Sequence, residues 1–265
     1  MKFNWKFSMR RSRLILAGWL VCMLAACSGP AVKQPVAEKK EAPPQIFKVD
    51  PSTAGSLKGS VRFTGKKPGR VAVDMSSDPA CVEAHKGKPY DQSIMVNADS
   101  TLSNVFVYIK SGLEGKNFET PSTPVAIDQH GCWFEPRVLG IQVGQIMRIS
   151  NSDPVTHSIH PLAQVNREWN HSQGAGEPPV DRKFLRPEVM IPVKCNIHSW
   201  MHAYIGVLPH PYFAVTGSGG TFEIKNIPPG DYILGAWQEK LGTQEQKVTV
   251  APSGEAEISF TFKGE

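Results

Sequence analysis

Glycine and proline, 23 and 22 of the 265 residues, cut this chain into segments too short for sustained helices. Within the segments the apolar residues mostly alternate with polar ones, the period of a half-buried strand. Leu57, Val61 and Phe63 form one such run, closed by the turn residues 65–69. The run Val105–Ile109 is apolar on both faces and is expected to be fully buried. A short strand follows at Val125–Ile127. Ile141–Ile149 alternates, with Gly144 as a turn or bulge inside it. Val189–Lys194 contains Pro192, which lacks an amide donor, so it should lie at a sheet edge or be bulged there. Four more strands are expected at Thr221–Ile224, Tyr232–Trp237, Gln246–Val250 and Ala256–Phe262, the first two joined by a tight turn over Asn226–Asp231. Residues 161–187 read as irregular. Short strands at this spacing build β-sandwiches, so the expected class is all-β.

The N-terminus is different. A basic stretch ends at Arg13, and the apolar run Leu14–Ala26 is shorter than the roughly 20 residues a membrane span needs. It ends in Leu24-Ala25-Ala26-Cys27, which resembles a bacterial lipobox. That resemblance implies cleavage after residue 26, acylation of Cys27 and, with Ser28 next, the periplasmic face of the outer membrane. Lys2, Lys6, Arg10, Arg11 and Arg13 account for the whole +5 formal charge. The rest of the chain carries no basic excess, so a nucleic-acid partner is not expected. Residues 27–55, rich in Pro, Ala, Lys and Glu, read as a disordered tether.

Five cysteines are present. Cys22 belongs to the export segment and Cys27 to the lipid anchor. In an oxidising compartment thiols tend to pair. A disulfide between Cys81 and Cys132 would leave Cys195 free as a ligand; two free thiols are the alternative.

The chemistry concentrates in Cys195-Asn196-Ile197-His198-Ser199-Trp200-Met201. A thiolate, an imidazole and a thioether within seven residues suit copper, because zinc rarely takes a thioether. A second imidazole must come from elsewhere. His157 follows a strand and the turn Asn151-Ser152-Asp153-Pro154, and His160 stands three residues on. The ordered set Phe134-Glu135-Pro136, Val143-Gly144, Asn151, His157, Cys195, His198 and Met201 resembles the cupredoxins, and the ligand-loop spacing is similar to that of amicyanin. The resemblance covers roughly residues 124–210. It implies one mononuclear copper site with imidazole nitrogens from His157 and His198, thiolate from Cys195 and an axial Met201. His160 and His202 are possible extra or substitute ligands. His85, His130, His171 and His210 read as ordinary surface or loop residues.

Residues 212–262 are similar to the end of a carboxypeptidase-regulatory or transthyretin-like sandwich, through Gly220-Thr221-Phe222 and Ile227-Pro228-Pro229-Gly230-Asp231-Tyr232. The matching opening, Gly59-Ser60-Val61 and Lys67-Pro68-Gly69, lies far upstream. The expected layout is therefore an export signal over 1–26, a tether over 27–55, a split transthyretin-like sandwich over 56–122 and 212–265, and a cupredoxin Greek-key sandwich over 123–211. Such arrangements resemble exported proteins labelled methylamine-utilisation-like. The implied function is one-electron transfer to an exported redox partner such as a cytochrome or dehydrogenase. A copper carrier or sensor, and a structural or glycan-binding lipoprotein, are the alternatives. No Ser/His/Asp or paired-carboxylate arrangement suggests an enzyme.

Overall fold

The computed structural model describes residues 45–264. The expected export signal over 1–26, Cys27 and the expected tether up to residue 44 lie outside them. In chain order the elements are β1 (Gly55–Thr64), the short helix α1 (Pro79–Glu83), β2 (Phe106–Ser111), β3 (Val125–His130), β4 (Trp133–Glu135), β5 (Val138–Gln142), β6 (Met147–Asn151), β7 (His157–Pro161) and β8 (His171–Gln173). They continue as β9 (Val180–Arg182), β10 (Glu188–Lys194), β11 (His202–Leu208), β12 (Phe213–Val215), β13 (Thr221–Ile227), β14 (Gly230–Gln238), β15 (Gly242–Val250) and β16 (Glu255–Lys263). The fold is all-β.

Four sheets make two layered units. In the first, sheet β13-β1-β16 faces sheet β12-β2-β14-β15 across a core that includes Leu57, Val61, Ile109, Leu234, Phe260 and Phe262. β1 runs antiparallel to β13 and parallel to β16, so this unit draws on both ends of the described chain. In the second, sheet β5-β11-β10-β7-β8 faces sheet β4-β3-β6-β9 across a core that includes Ile127, Phe134, Ile141, Ile149, Ile191 and Ile205. β16 shows the local logic: every second residue, Ile258, Phe260 and Phe262, is buried, and the residues between them are not.

β2 explains how the units adhere. Its odd-numbered side chains, Val107 and Ile109, enter the first core, while Phe106 and Tyr108 turn the other way and pack with Val138, Met190 and Leu208. Phe106 stacks on Phe213, ring centroids 5.7 Å apart, against the paired glycines Gly140 and Gly206. A Cβ on either glycine would collide with these rings, so only glycine admits so close an approach. Arg137 forms a buried ion pair with Glu239 at 2.8 Å and reaches the His202 carbonyl, a second link between the units.

Several expectations change. β10 is an interior strand between β11 and β7, not an edge, and its bulge is at Met190 (φ 62°) and not at Pro192. The proline is tolerated because the ladder to β7 only begins beside it, with Leu162 N–H donating to the Pro192 carbonyl at 2.8 Å. Gly144 (φ 79°) separates two strands of different sheets, β5 and β6, where one interrupted strand was expected. The described end of the expected tether is packed: Ile46 bridges to Asn117, and Phe47 packs edge-on against Phe118. Residues 161–187 are not wholly irregular, since β8 and β9 extend the two sheets of the second unit. His210 is no surface residue. It is 5% exposed, its Nε2–H donates to the Ile109 carbonyl at 3.0 Å, and burial pushes its pKa down to about 4.

The segment between β1 and β2 also departs from expectation. Met75 and Cys81 belong to the core of the second unit. Pro79 opens α1 and Asp78 caps it, Oδ1 accepting from Ala80 N–H at 3.0 Å. This crossing brings Asp78 and Cys81 to the site described next.

Candidate metal centre

Cys195 follows the last residue of β10, and His202 opens β11. The loop between them is closed by two backbone hydrogen bonds, Cys195 N–H to the Met201 carbonyl at 3.2 Å and Met201 N–H to the His198 carbonyl at 3.1 Å. That closure turns the backbone N–H groups of Ile197 and His198 toward Cys195 Sγ, each at 3.4 Å. From the neighbouring strand β7, Ser158 adds its own N–H at 3.3 Å and its hydroxyl at 3.7 Å. Ser158 Oγ in turn accepts from Asn196 N–H at 2.7 Å, tying the loop to the strand.

His157 enters from the opposite side. After β6, Asn151 shapes the turn: its Oδ1 accepts from Asp153 N–H at 3.1 Å and its side-chain amide donates to the Val155 carbonyl at 2.8 Å. The turn presents Asp153, which accepts from the N–H groups of Gly131 and Cys132, both at 2.7 Å. Asp153 Oδ2 then holds His157 Nε2 at 2.8 Å. With Nε2 occupied, Nδ1 of His157 faces inward, 2.9 Å from Nδ1 of His198.

His198 is held in the same way. Its Nε2 lies 3.1 Å from Asp78 Oδ2, and its ring packs on Trp200 with centroids 5.1 Å apart. Trp200 Nε1–H donates to the Cys132 carbonyl at 3.2 Å. Cys81 and Cys132 are joined by a disulfide, Cα atoms 5.5 Å apart, which fastens α1 beside the two histidines. Cys81 Sγ stands 3.9 Å from His198 Nε2.

One nitrogen of each histidine and the sulfur of Cys195 lie within 4.8 Å of one another, and all three residues are buried. Nitrogen ligands stand about 2.0 Å from a first-row ion, so two on one ion are roughly 3 Å apart. The 2.9 Å separation of the Nδ1 atoms matches that spacing. Carboxylates on the outer nitrogens fix ring orientation and tautomer, the usual support for metal-binding histidines.

The electrostatics favour a bound cation. Burial works to raise the Cys195 thiol, but His157 and the N–H groups of His198, Ser158 and Ile197 outweigh it, bringing the pKa down to about 6. Burial works against protonated His157, but Asp153 and the Cys195 sulfur outweigh it, lifting the pKa to about 9. Between those values the centre pairs a thiolate with an imidazolium.

Met201 is fully buried in the same core, its backbone bonded to both Cys195 and His198. His160 points away: its Nε2 is 2.6 Å from Glu168 and its Nδ1 is 3.2 Å from Asn196 Oδ1. His202 is exposed at the start of β11. His85 Nε2–H donates to the Gly131 carbonyl at 2.8 Å, and His130 lies 4.0 Å from Asp153. Three contributors escaped the sequence reading: Asp153, Asp78 and Ser158. Asp153 carried a signal, an acid four residues before a candidate ligand in the same turn; Asp78, 120 residues from His198, carried none.

No family model matches the chain, and no curated protein matches it. Among solved structures it is similar to a Cu-containing nitrite reductase (NirK) from Thermus scotoductus SA-01, at 23% identity over 39% of this chain and 25% of that one, with TM-score 0.31. It is also similar to a point mutant of amicyanin in its oxidised form, at 18% identity over 38% of this chain and 97% of that one, with TM-score 0.29. A purple cupredoxin from Nitrosopumilus maritimus matches at 19% identity over 31% of this chain and 97% of that one, with TM-score 0.27. The chain spans about a quarter of the reductase's length.

Proposed function

We propose that this chain is an exported copper protein that carries single electrons through one centre formed by His157, Cys195, His198 and Met201. The observation that carries this reading is the convergence of two Nδ1 atoms and one thiolate, with each outer imidazole nitrogen held by its own carboxylate. The donor set selects the metal. Thiolate with imidazole would also admit zinc, and the buried thioether of Met201 in the same loop favours copper. Copper in such a site supplies a one-electron couple between its +1 and +2 states.

The residues suit a carrier better than a catalyst. Cys195, His157 and His198 are each no more than 3% exposed, which leaves little room for a substrate to reach the ion. The same burial disfavours the copper carrier or sensor, whose ligands must exchange quickly. Strands β7, β10 and β11 and the disulfide hold the donors in place, so little rearrangement accompanies a change of charge. Acylation of Cys27 would put the protein on the periplasmic face of the outer membrane, with an exported cytochrome or dehydrogenase as partner.

Copper titration of the metal-free protein tests this. One equivalent of Cu(II) should produce an intense visible thiolate-to-copper band and an EPR signal, and Cys195→Ser should abolish the band. A colourless protein with copper fully bound would overturn the reading.

A further inference from the structure

Two routes lead from the centre to the surface, and they differ in cover. On the His198 side, Nε2 is capped by Asp78, with α1 and the Cys81–Cys132 disulfide alongside. On the Cys195 side, Sγ accepts directly from the N–H of Ile197, whose side chain is 52% exposed. Asn196, also exposed, bonds to His160, and His160 bonds to Glu168. Glu168 sits between Arg167 and Trp169, which line a groove of about 540 Å³ together with Val165, Arg182, Lys183 and Leu185.

The groove has an unusual charge. Arg167, Lys183 and Arg186 are exposed on its rim, and among the described residues no carboxylate lies within 4.0 Å of these cations or of Arg182, which rests over the Trp169 ring. The nearby acids are engaged. Asp181 pairs with Arg148, Glu168 with His160, and Glu188 with backbone N–H groups of Gln164 and Asn166. Val165 and Leu185, 49% and 72% exposed, add apolar area within the same groove. Unpaired cations around exposed apolar side chains form a surface complementary to an acidic protein, and such charge accelerates encounter.

We infer that the groove lined by Arg167, Trp169, Lys183 and Arg186 is the docking surface for a redox partner with an acidic face, and that electrons pass through the Cys195–Ile197 side of the centre. This rests on the copper reading above, and names the partner class for that centre. An anionic lipid surface would also meet these cations. The protein partner is favoured because Glu168, chain neighbour of the groove residues Arg167 and Trp169, is tied by hydrogen bonds through His160 to Asn196 of the candidate metal-binding loop.

The test uses the full copper-loaded chain. Hexacyanoferrate(III) accepts one electron from the Cu(I) protein, giving hexacyanoferrate(II) and the Cu(II) protein, and hexaammineruthenium(III) is the cationic counterpart. Rates are measured against ionic strength for the wild type and for Arg167→Glu/Lys183→Glu/Arg186→Glu. A matched control, Lys225→Glu/Lys247→Glu/Lys263→Glu, changes net charge equally on the first unit. At low ionic strength the groove variant should slow the hexacyanoferrate reaction about tenfold and speed the ruthenium one, with the control staying within about twofold. Equal effects from both variants would overturn the proposal. So would groove-dependent binding to phosphatidylglycerol vesicles without any rate effect. Absence of the visible band in the wild type would instead refute the copper reading, separating the two failures. If the triple variant lacks the band, Arg167→Gln/Arg186→Gln is used, with a smaller slowing expected and none counting as contradiction.

Discussion

Nδ1 of His157 and Nδ1 of His198 stand 2.9 Å apart, so close that one must donate a hydrogen to the other when no ion lies between them. Both outer nitrogens are engaged, His157 Nε2 with Asp153 and His198 Nε2 with Asp78. A proton on each nitrogen of His157, and one on Nε2 of His198, satisfies these three contacts. Losing the hydrogen between the two Nδ1 atoms would free both nitrogens for a cation with little change of geometry.

This exchange sets the pH dependence. With Cys195 titrating at about 6 and His157 at about 9, the metal-free centre between those values carries a thiolate and one removable proton. Binding a metal should release about one proton there, so affinity should rise about tenfold per pH unit. Below pH 6 the thiol is also protonated and release should approach two protons. Above pH 9 it should fall toward zero. Calorimetry of metal binding in buffers of different ionisation enthalpy counts these protons.

The supporting carboxylates should matter nearly as much as the ligands. Asp153→Asn and Asp78→Asn should each weaken metal affinity by about 10- to 100-fold while leaving the ligand set intact. Asp153→Asn should have the larger effect, because Asp153 also accepts from two backbone N–H groups. Competition with a chelator measures the affinity, and the retained visible band shows that the ligands are unchanged.

The proximity of Cys195 and His198 was legible because they sit on one loop, where spacing along the chain approximates spacing in the fold. Strand alternation was legible for the same local reason, as in β16. What failed was non-local. Whether a proline strand is an edge depends on which strand lies beside it, and β10 finds β7 there. Asp78 and Cys81 reach the centre only because the chain between β1 and β2 crosses to the other core. His210 looked like a loop residue between prolines, yet Phe118 and Tyr212 pack around its ring.

The junction between the two units should be sensitive to a single methyl group. Gly206→Ala places a Cβ against the stacked Phe106 ring, which cannot turn aside without disturbing Phe213. The expected cost is about 1–3 kcal/mol. It should appear as a lower denaturant midpoint with an unchanged slope.

The Arg137–Glu239 pair should behave as a buried couple. Its side chains are 6% and 4% exposed, so Arg137→Met leaves a carboxylate buried without a partner. A loss of about 3–5 kcal/mol is expected, and Arg137→Met/Glu239→Leu should recover much of it. Equilibrium unfolding of the two variants measures both effects.

The central claim is that the two histidines, Cys195 and Met201 hold one copper ion through repeated one-electron cycles. Spectroelectrochemical titration of the copper-loaded protein tests it most directly. The expected result is a reversible one-electron curve, about 59 mV per tenfold change in ratio, with the visible band and EPR signal vanishing together and returning in full. Loss of copper on reduction, or a bound ion that does not change oxidation state, would contradict it.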